Sequence, residues 1–391
     1  MRYAPRVLSR LLSAPRRAKI AAGAAVLVIV GGGAFVALGG VPRFLGPTDS
    51  DPLGAVPRDS FLVATANLTE LRQSPLYDVL MGKRGEAVLD PRALGLPKLA
   101  DACGFDPLGR VDRLAVAVPE EGDRGELGVA AKITVTRGEL EKCATALAGQ
   151  HGATTETKRV GSFGVVEDPD GAARPRLAYG HGQMLVAGRG AWFDAMLATA
   201  DGKQPGIREA APHASLRASM TGREGWHTPT LLVTALLPRS LRDRIKNEMG
   251  AEVGSKDHSQ AIMGGVLGVS SAGLALKASA SGGSTDAALE LVCDAEDACA
   301  AVEKLLLKKK FDVSKELTLR MVGLGALLDS IEVKREGARV RVTASAASDS
   351  LASTVDRVLR LRASSANAPR NPLPAVSHRP DEIIAAPKPS R

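Results

Sequence analysis

Residues 127–150 read LGVAAKITVTRGELEKCATALAGQ, and residues 285–308 read TDAALELVCDAEDACAAVEKLLLK. In the first stretch Leu127, Val129, Ala131, Ile133 and Val135 alternate with Lys132, Thr134 and Thr136, the period of two that marks a strand with one buried face. The alternation runs into Leu140, Cys143, Ala144 and Leu147, whose spacing of three and four residues marks the buried stripe of a helix. The second stretch does the same with Ala287, Leu289, Leu291 and Cys293, then Ala298, Ala301, Val302 and Leu305. A shift of 158 residues lays Ile133 on Leu291, Val135 on Cys293, Leu140 on Ala298, Ala144 on Val302 and Leu147 on Leu305 without a gap, which points to an internal duplication.

The flanking segments extend the pattern. Ser60 to Asn67 and Arg113 to Val118 read as strands, with a short helix around Leu71 that Pro75 must interrupt or restart. Gly161 to Glu167 and Arg176 to Ala187 read as a hairpin turning at Pro169, Asp170 and Gly171, followed by a helix near Ala191 to Thr199. In the second half Thr230 to Leu237 is a strand, Leu241, Ile245 and Met249 mark a helix, and Leu267 to Ala280 supplies another strand region. Ile331 to Val333 pairs with Arg339 to Ala344, and Leu351, Val355, Val358 and Leu359 mark a last helix. Strands in adjacent pairs with helices between them predict an α+β fold: two tandem related units, residues 57–205 and 229–362, with antiparallel or mixed sheets, each covered by helices on one face. Residues 42–56, rich in Pro and Gly, and residues 206–228 read as linkers, and residues 363–391, without periodicity, as a disordered tail.

The chain has 391 residues and a formal charge of +8. Setting aside the six bases of residues 1–19, and the four bases and two acids of residues 363–391, leaves 41 of each sign, so the body is neutral. A basic nucleic-acid-binding body is thereby excluded. Residues 20–41, IAAGAAVLVIVGGGAFVALGGV, form an uncharged run of 22 residues, enough to span a bilayer as a helix. Six glycines would make a poor soluble helix but are tolerated in membrane spans. The run is longer than the apolar region of a cleavable signal peptide, although Ala37, Gly39 and Gly40 leave cleavage as the alternative. Arg2, Arg6, Arg10, Arg16, Arg17 and Lys19 precede it, and only Arg43 follows before Asp49 and Asp51. The positive-inside rule then places residues 1–19 in the cytoplasm and everything beyond Val41 across a bacterial cytoplasmic membrane.

Motifs of chemistry are sparse. His151, His181, His213, His227, His258 and His378 show no metal-ligand spacing. Gly268, Ser270 and Ala272 fall short of a nucleophile elbow, and Gly188-Arg189-Gly190 has Phe193 where a dinucleotide fingerprint needs glycine. No cofactor, metal or catalytic residue is therefore expected. Lys304, Lys308, Lys309 and Lys310 form the one dense basic cluster of the body, which reads as a solvated helix face or a site for an anionic partner.

Cys103, Cys143, Cys293 and Cys299 allow three disulfide connectivities in an oxidising compartment. A strand end at Cys293 and a helix start at Cys299, six residues on, suit a local staple, while Cys103 reads as a loop residue and Cys143 lies on the apolar face of a helix; Cys103–Cys143 and Cys293–Cys299 are the expected pairs, and a reduced or differently paired cysteine is the alternative.

PRDSFLVATANLTELRQSPLYDVL (57–80) and DACGFDPLGRVDRLAVAV (101–118) resemble an uncharacterised bacterial family of membrane-anchored extracytoplasmic proteins with an opening strand, an SPL helix, a CGFDP loop and a second cysteine in a later helix, here Cys143. The resemblance implies an extracytoplasmic location and a Cys103–Cys143 pair, and transfers no catalytic residue. The second half lacks the CGFDP loop. The expected protein is a single-pass anchor bearing a non-catalytic binding or assembly module of the envelope, its partners the membrane and an envelope protein or lipid. An envelope hydrolase with its site between the units, or an acyl-chain binder, is the alternative.

Overall fold

The computed structural model describes residues 51–366 except 82–95, 107, 121–126, 151, 170–174, 223–225, 227, 244–266 and 318–319. The basic segment 1–19, the apolar run 20–41 and the tail from residue 367 onward lie outside the described residues, as do Ile245 and Met249. Among the described residues no helix is long and apolar enough to cross a membrane.

The fold is α+β, and among the described residues its strands form one sheet where two were expected. The first half supplies β1 (Ser60–Asn67), β2 (Val111–Pro119), β3 (Gly128–Ile133), β4 (Glu156–Val160), β5 (Phe163–Glu167), β6 (Arg176–Gly180) and β7 (Met184–Gly188). The second supplies β8 (Leu231–Leu236), β9 (Val269–Lys277), β10 (Ser284–Cys293), β11 (Glu332–Glu336) and β12 (Arg339–Ala347). The twelve strands run in the order β11-β12-β10-β9-β8-β1-β2-β3-β7-β6-β5-β4, every pair antiparallel. The halves meet at β1 and β8, where Val63 lies opposite Thr234. Outward from this seam the order β1-β2-β3-β7-β6 is matched by β8-β9-β10-β12-β11, and the first half adds the β4–β5 hairpin.

The stretch read as one long strand, 176–187, is two strands broken at His181–Gln183, where Gly182 (φ 70°) and Gln183 (φ 67°) both adopt left-handed backbone. A side chain at Gly180 would lie 2.5 Å from Cε1 of Phe163, so glycine there lets the ring cross onto the neighbouring strand.

The helices are α1 (Leu68–Leu71), α2 (Pro75–Leu80), α3 (Leu96–Cys103), α4 (Arg137–Gln150), α5 (Gly190–Ala200), α6 (Ala211–Thr221), α7 (Glu296–Ser314), α8 (Gly325–Ser330) and α9 (Ser348–Ala366). Pro75 restarts the helical path as anticipated: Ser74 caps α2 by accepting from the Leu76 amide. The expectation that helices cover one face fails in the first half. Val63, Ala115, Ala117, Ala130 and Val186 pack on one face against Trp192, Phe193, Met196 and Leu197 of α5. Val111, Leu114, Val129, Ala131 and Ile133 pack on the other around Leu140 of α4. Alanine made the strands' second face look neutral in the sequence; here it admits a close helix.

Both linkers are partly structured. Pro52–Ala55 is a 3-10 helix capped by Asp51, and Leu53, Ala55 and Val56 belong to the core. The 206–228 linker contains a 3-10 turn, Ile207–Glu209, and α6, whose His213, Leu216 and Met220 are buried over the seam. In α7 the buried stripe is Cys299 and Val302 with Ala298 and Leu306, while Ala301 is exposed. Leu140, Cys143 and Leu147 of α4 thus correspond to Cys299, Val302 and Leu306, one residue beyond the gapless shift.

Candidate functional site

The closing helices of the two halves sit on opposite faces. After β7, α5 covers the face that carries Val63 and Ala117, and the Trp192 Nε1 donates to the Ala117 carbonyl at 3.3 Å. After β12, α9 packs instead with α2, burying Ala352 against Leu76, Val79 and Ala278, and Ser348 meets Thr285 at 2.8 Å. On the face that α5 would occupy by analogy, β10, β12 and β11 have only the flank of α6 beside them among the described residues. Register fixes what this face presents: Glu290 opposite Arg341, Ala288 opposite Thr343 and Asp286 opposite Ser345, then Lys334 opposite Arg341 and Glu336 opposite Arg339. It is a polar sheet face, and a cavity of about 330 Å³ opens on it between Ser219, Glu290, Lys334, Glu336, Arg339 and Arg341.

Glu290 is the centre of this site and is only 2% exposed. Its Oε1 accepts from the Ser219 hydroxyl at 2.5 Å and from Arg339 Nη1 at 2.8 Å; its Oε2 accepts from Arg341 Nε at 3.0 Å and also from Arg341 Nη2. Arg341 Nη2 further donates to the Ser219 carbonyl at 3.0 Å, and Arg339 Nη2 to the Ser215 hydroxyl at 3.2 Å, tying β12 to α6. Burial by itself would raise the Glu290 carboxyl, but the Ser219 hydroxyl and the two guanidiniums outweigh it and hold the group below its ordinary value. A carboxylate so locked is a structural anion that holds two arginines in a fixed fork. At the rim, Lys334 pairs with Glu332 at 2.7 Å.

Close to the seam, His213 is fully buried, with Nε2 2.9 Å from the Ser60 carbonyl and Nδ1 2.8 Å from the Thr234 hydroxyl. A carbonyl only accepts, so Nε2 carries the proton and Nδ1 accepts from Thr234, which fixes a neutral tautomer. Burial chiefly lowers its pKa, the Ser60 hydrogen bond opposes this, and the Arg217 charge adds to the lowering. Arg217 donates to the Thr65 hydroxyl at 3.1 Å, and burial pulls its guanidinium down to about 10.

Of the histidines singled out in the sequence, His151, His227, His258 and His378 lie outside the described residues, and His181 is at the β6–β7 turn. Ser270 lies in β9 with its hydroxyl on the Val292 carbonyl at 3.1 Å. The Gly188–Gly190 pair joins β7 to α5, but β7 is antiparallel to both neighbours, so it does not belong to a βαβ unit. Among the described residues no group of three His, Cys, Asp or Glu stands ready for a metal.

The four cysteines form two disulfides, Cys103–Cys143 and Cys293–Cys299. The first joins α3 to α4 and the second joins the end of β10 to the start of α7. The sequence did not single out Glu290, and it marked His213 only as one of six histidines without metal-ligand spacing. The alternation Arg339-Val340-Arg341 was a signal for the former, since it puts two arginines on one strand face, but only the β10–β12 register brings them to Glu290. No family model, curated protein or solved structure matches the chain.

Proposed function

We propose that this chain is a single-pass protein of the bacterial envelope, held in the cytoplasmic membrane by residues 20–41 with residues 1–19 inside. Its ectodomain is a duplicated, non-catalytic binding or assembly module. The observation that carries the binding reading is the open polar face of β10, β12 and β11, whose central charges are already engaged with one another through Glu290. Such a face offers a pre-ordered set of donors and acceptors to a hydrophilic partner and spends no reactive group on chemistry. The charged groups of Glu290, Lys334, Glu336, Arg339 and Arg341 that line it do not suit an acyl chain. Among the described residues no serine hydroxyl is paired with histidine, so no specific contact favours the hydrolase alternative.

The two disulfides support an oxidising location, and the SPL and CGFDP segments support kinship with membrane-anchored extracytoplasmic proteins. Duplication is supported by the matched strand orders on either side of the β1–β8 seam; the displaced closing helix is the departure that opened the site.

A photo-crosslinking residue at Lys334 is expected to yield a discrete envelope adduct that is lost with Arg339→Glu and absent when the probe sits at Arg159 in β4. Absence of any Lys334 adduct, or labelling of a single serine by a broad serine-hydrolase probe, overturns the binding reading. Protease added to spheroplasts is expected to digest the chain beyond Val41, and protection of that region overturns the export reading.

A further inference from the structure

Helix α7 buries Cys299 and Val302 against the sheet and turns Leu307 and Phe311, one turn apart, to solvent at 46% and 60% exposure. Leu317 and Met321 follow at 70% and 73%, so four of the five large apolar side chains exposed among the described residues fall between positions 307 and 321. That concentration separates this face from ordinary scattered exposure. Lysines surround it. Lys304, Lys308 and Lys309 are exposed and have no ion-pair partner among the described residues, and the Lys315 ammonium sits 3.7 Å from the centroid of the Phe311 ring. Positions 304, 307, 308, 311 and 315 share one side of the helix. Lys310 is different, since it donates inward to the Ile331 carbonyl. The acids of the stretch are Asp312 and Glu316, against Lys304, Lys308 and Lys315 on this side, while Glu303 is engaged by Arg335 at 2.9 Å.

We infer that this face of α7, with Leu317 and Met321, docks on the anionic lipid surface of the membrane. Apolar tips set among ammonium groups match a leaflet in which acyl chains lie just beneath phosphates: the tips enter the boundary and the lysine stems carry their charges to the headgroups. A purely solvated face would explain the lysines and leave Leu307 and Phe311 without a role. The inference rests on the anchored reading for proximity. Only residues 42–50 separate the apolar run from Asp51, which caps the first 3-10 helix and pairs with Arg208. Nine extended residues reach about 30 Å, so the body stays near the bilayer.

The test is the full-length protein carrying Phe311→Trp, placed in vesicles of brominated phosphatidylcholine alone or mixed equally with phosphatidylglycerol, with the unsubstituted protein giving the background of the two native tryptophans. The expected result is a blue-shifted F311W emission that is quenched only in the anionic vesicles. Replacing Lys304 or Lys308 singly by glutamine should lower the docked fraction roughly fivefold each. Leu307→Ser should abolish quenching with the near-ultraviolet circular dichroism unchanged. An unquenched F311W in a chain retained in anionic vesicles after alkaline wash overturns the inference and leaves the anchor standing. A blue shift that depends on protein concentration without lipid overturns it in favour of a second copy. Quenching on added vesicles by a chain that the wash removes upholds it and overturns the anchor.

Discussion

His213 has both ring nitrogens engaged inside the core, so a second proton would place an unpaired charge against the Thr234 hydroxyl. Its pKa is lowered by folding, whereas an unfolded imidazole takes up its proton near pH 6.5. The stability it contributes is therefore complete above that value and drains away as pH falls below it, at up to about 1.4 kcal/mol per pH unit. Urea unfolding followed from about pH 7 to pH 5 should show this decline, and His213→Gln, which keeps a donor and an acceptor, should flatten it. Glu290 acts in a lower window. Its pKa is also depressed, so its contribution is present above the ordinary carboxylate range and lost as pH falls through the depressed folded value. Glu290→Gln should cost about 1–3 kcal/mol at neutral pH, since it leaves Arg339 and Arg341 without their anion, and should remove the steepest part of the acid limb of the unfolding curve. Neither residue was legible as a site. His213 stands in a segment whose alanines, serines and Pro212 read as linker, and Glu290 is one acid among many until Arg339 and Arg341 are brought beside it.

At the scale of elements, the strands and helices that bury large side chains were legible. β3 leading into α4 follows its alternation and stripe, whereas α7 buries Cys299 and Leu306 in place of the expected Ala301 and Leu305; the order of strand then helix holds in both halves. Elements without a plain apolar period, or opened by a proline, were missed. β4 is ETKRV with all five residues exposed, a charged edge strand with no hydrophobic alternation. In α6, Pro212 looks like a breaker, yet it occupies the first turn, where its missing amide costs nothing. The disulfides secure two of the legible helices. On loop-closure entropy the Cys103–Cys143 bond, separation 40, should contribute about 4 kcal/mol and Cys293–Cys299, separation 6, about 2 kcal/mol. Alkylation of the denatured, unreduced protein should modify no cysteine. Replacing the Cys103 and Cys143 pair with serines should lower the urea midpoint more than replacing the Cys293 and Cys299 pair.

For the whole molecule, what the sequence concealed is continuity. Two repeats imply two sheets only if each half closes its own edge, and nothing in the alternation of β1 or β8 says whether a strand's second neighbour comes from its own half. Here Leu62–Ala66 and Leu231–Ala235 pair directly, and His213 and Arg217 of α6 contact both strands or their flanks. The protein should accordingly unfold in a single transition, with fluorescence and circular dichroism coincident, although its two halves share a strand order. Chains ending at residue 205 or beginning at 229 should fail to give that cooperative transition. Two coincident wild-type transitions in the separated halves would refute the coupling.

The β1–β8 seam also sets a clock. β1 is made early and gains β2 as soon as residue 119 has emerged, but its other edge waits for residues 231–236. At about 5–20 residues per second, that edge stays open for roughly ten to thirty seconds while the rest of the chain is synthesised. A nascent chain of this protein therefore passes through a period in which an apolar strand is available to any passing polypeptide, and its yield depends on what shields β1 until its distant partner arrives.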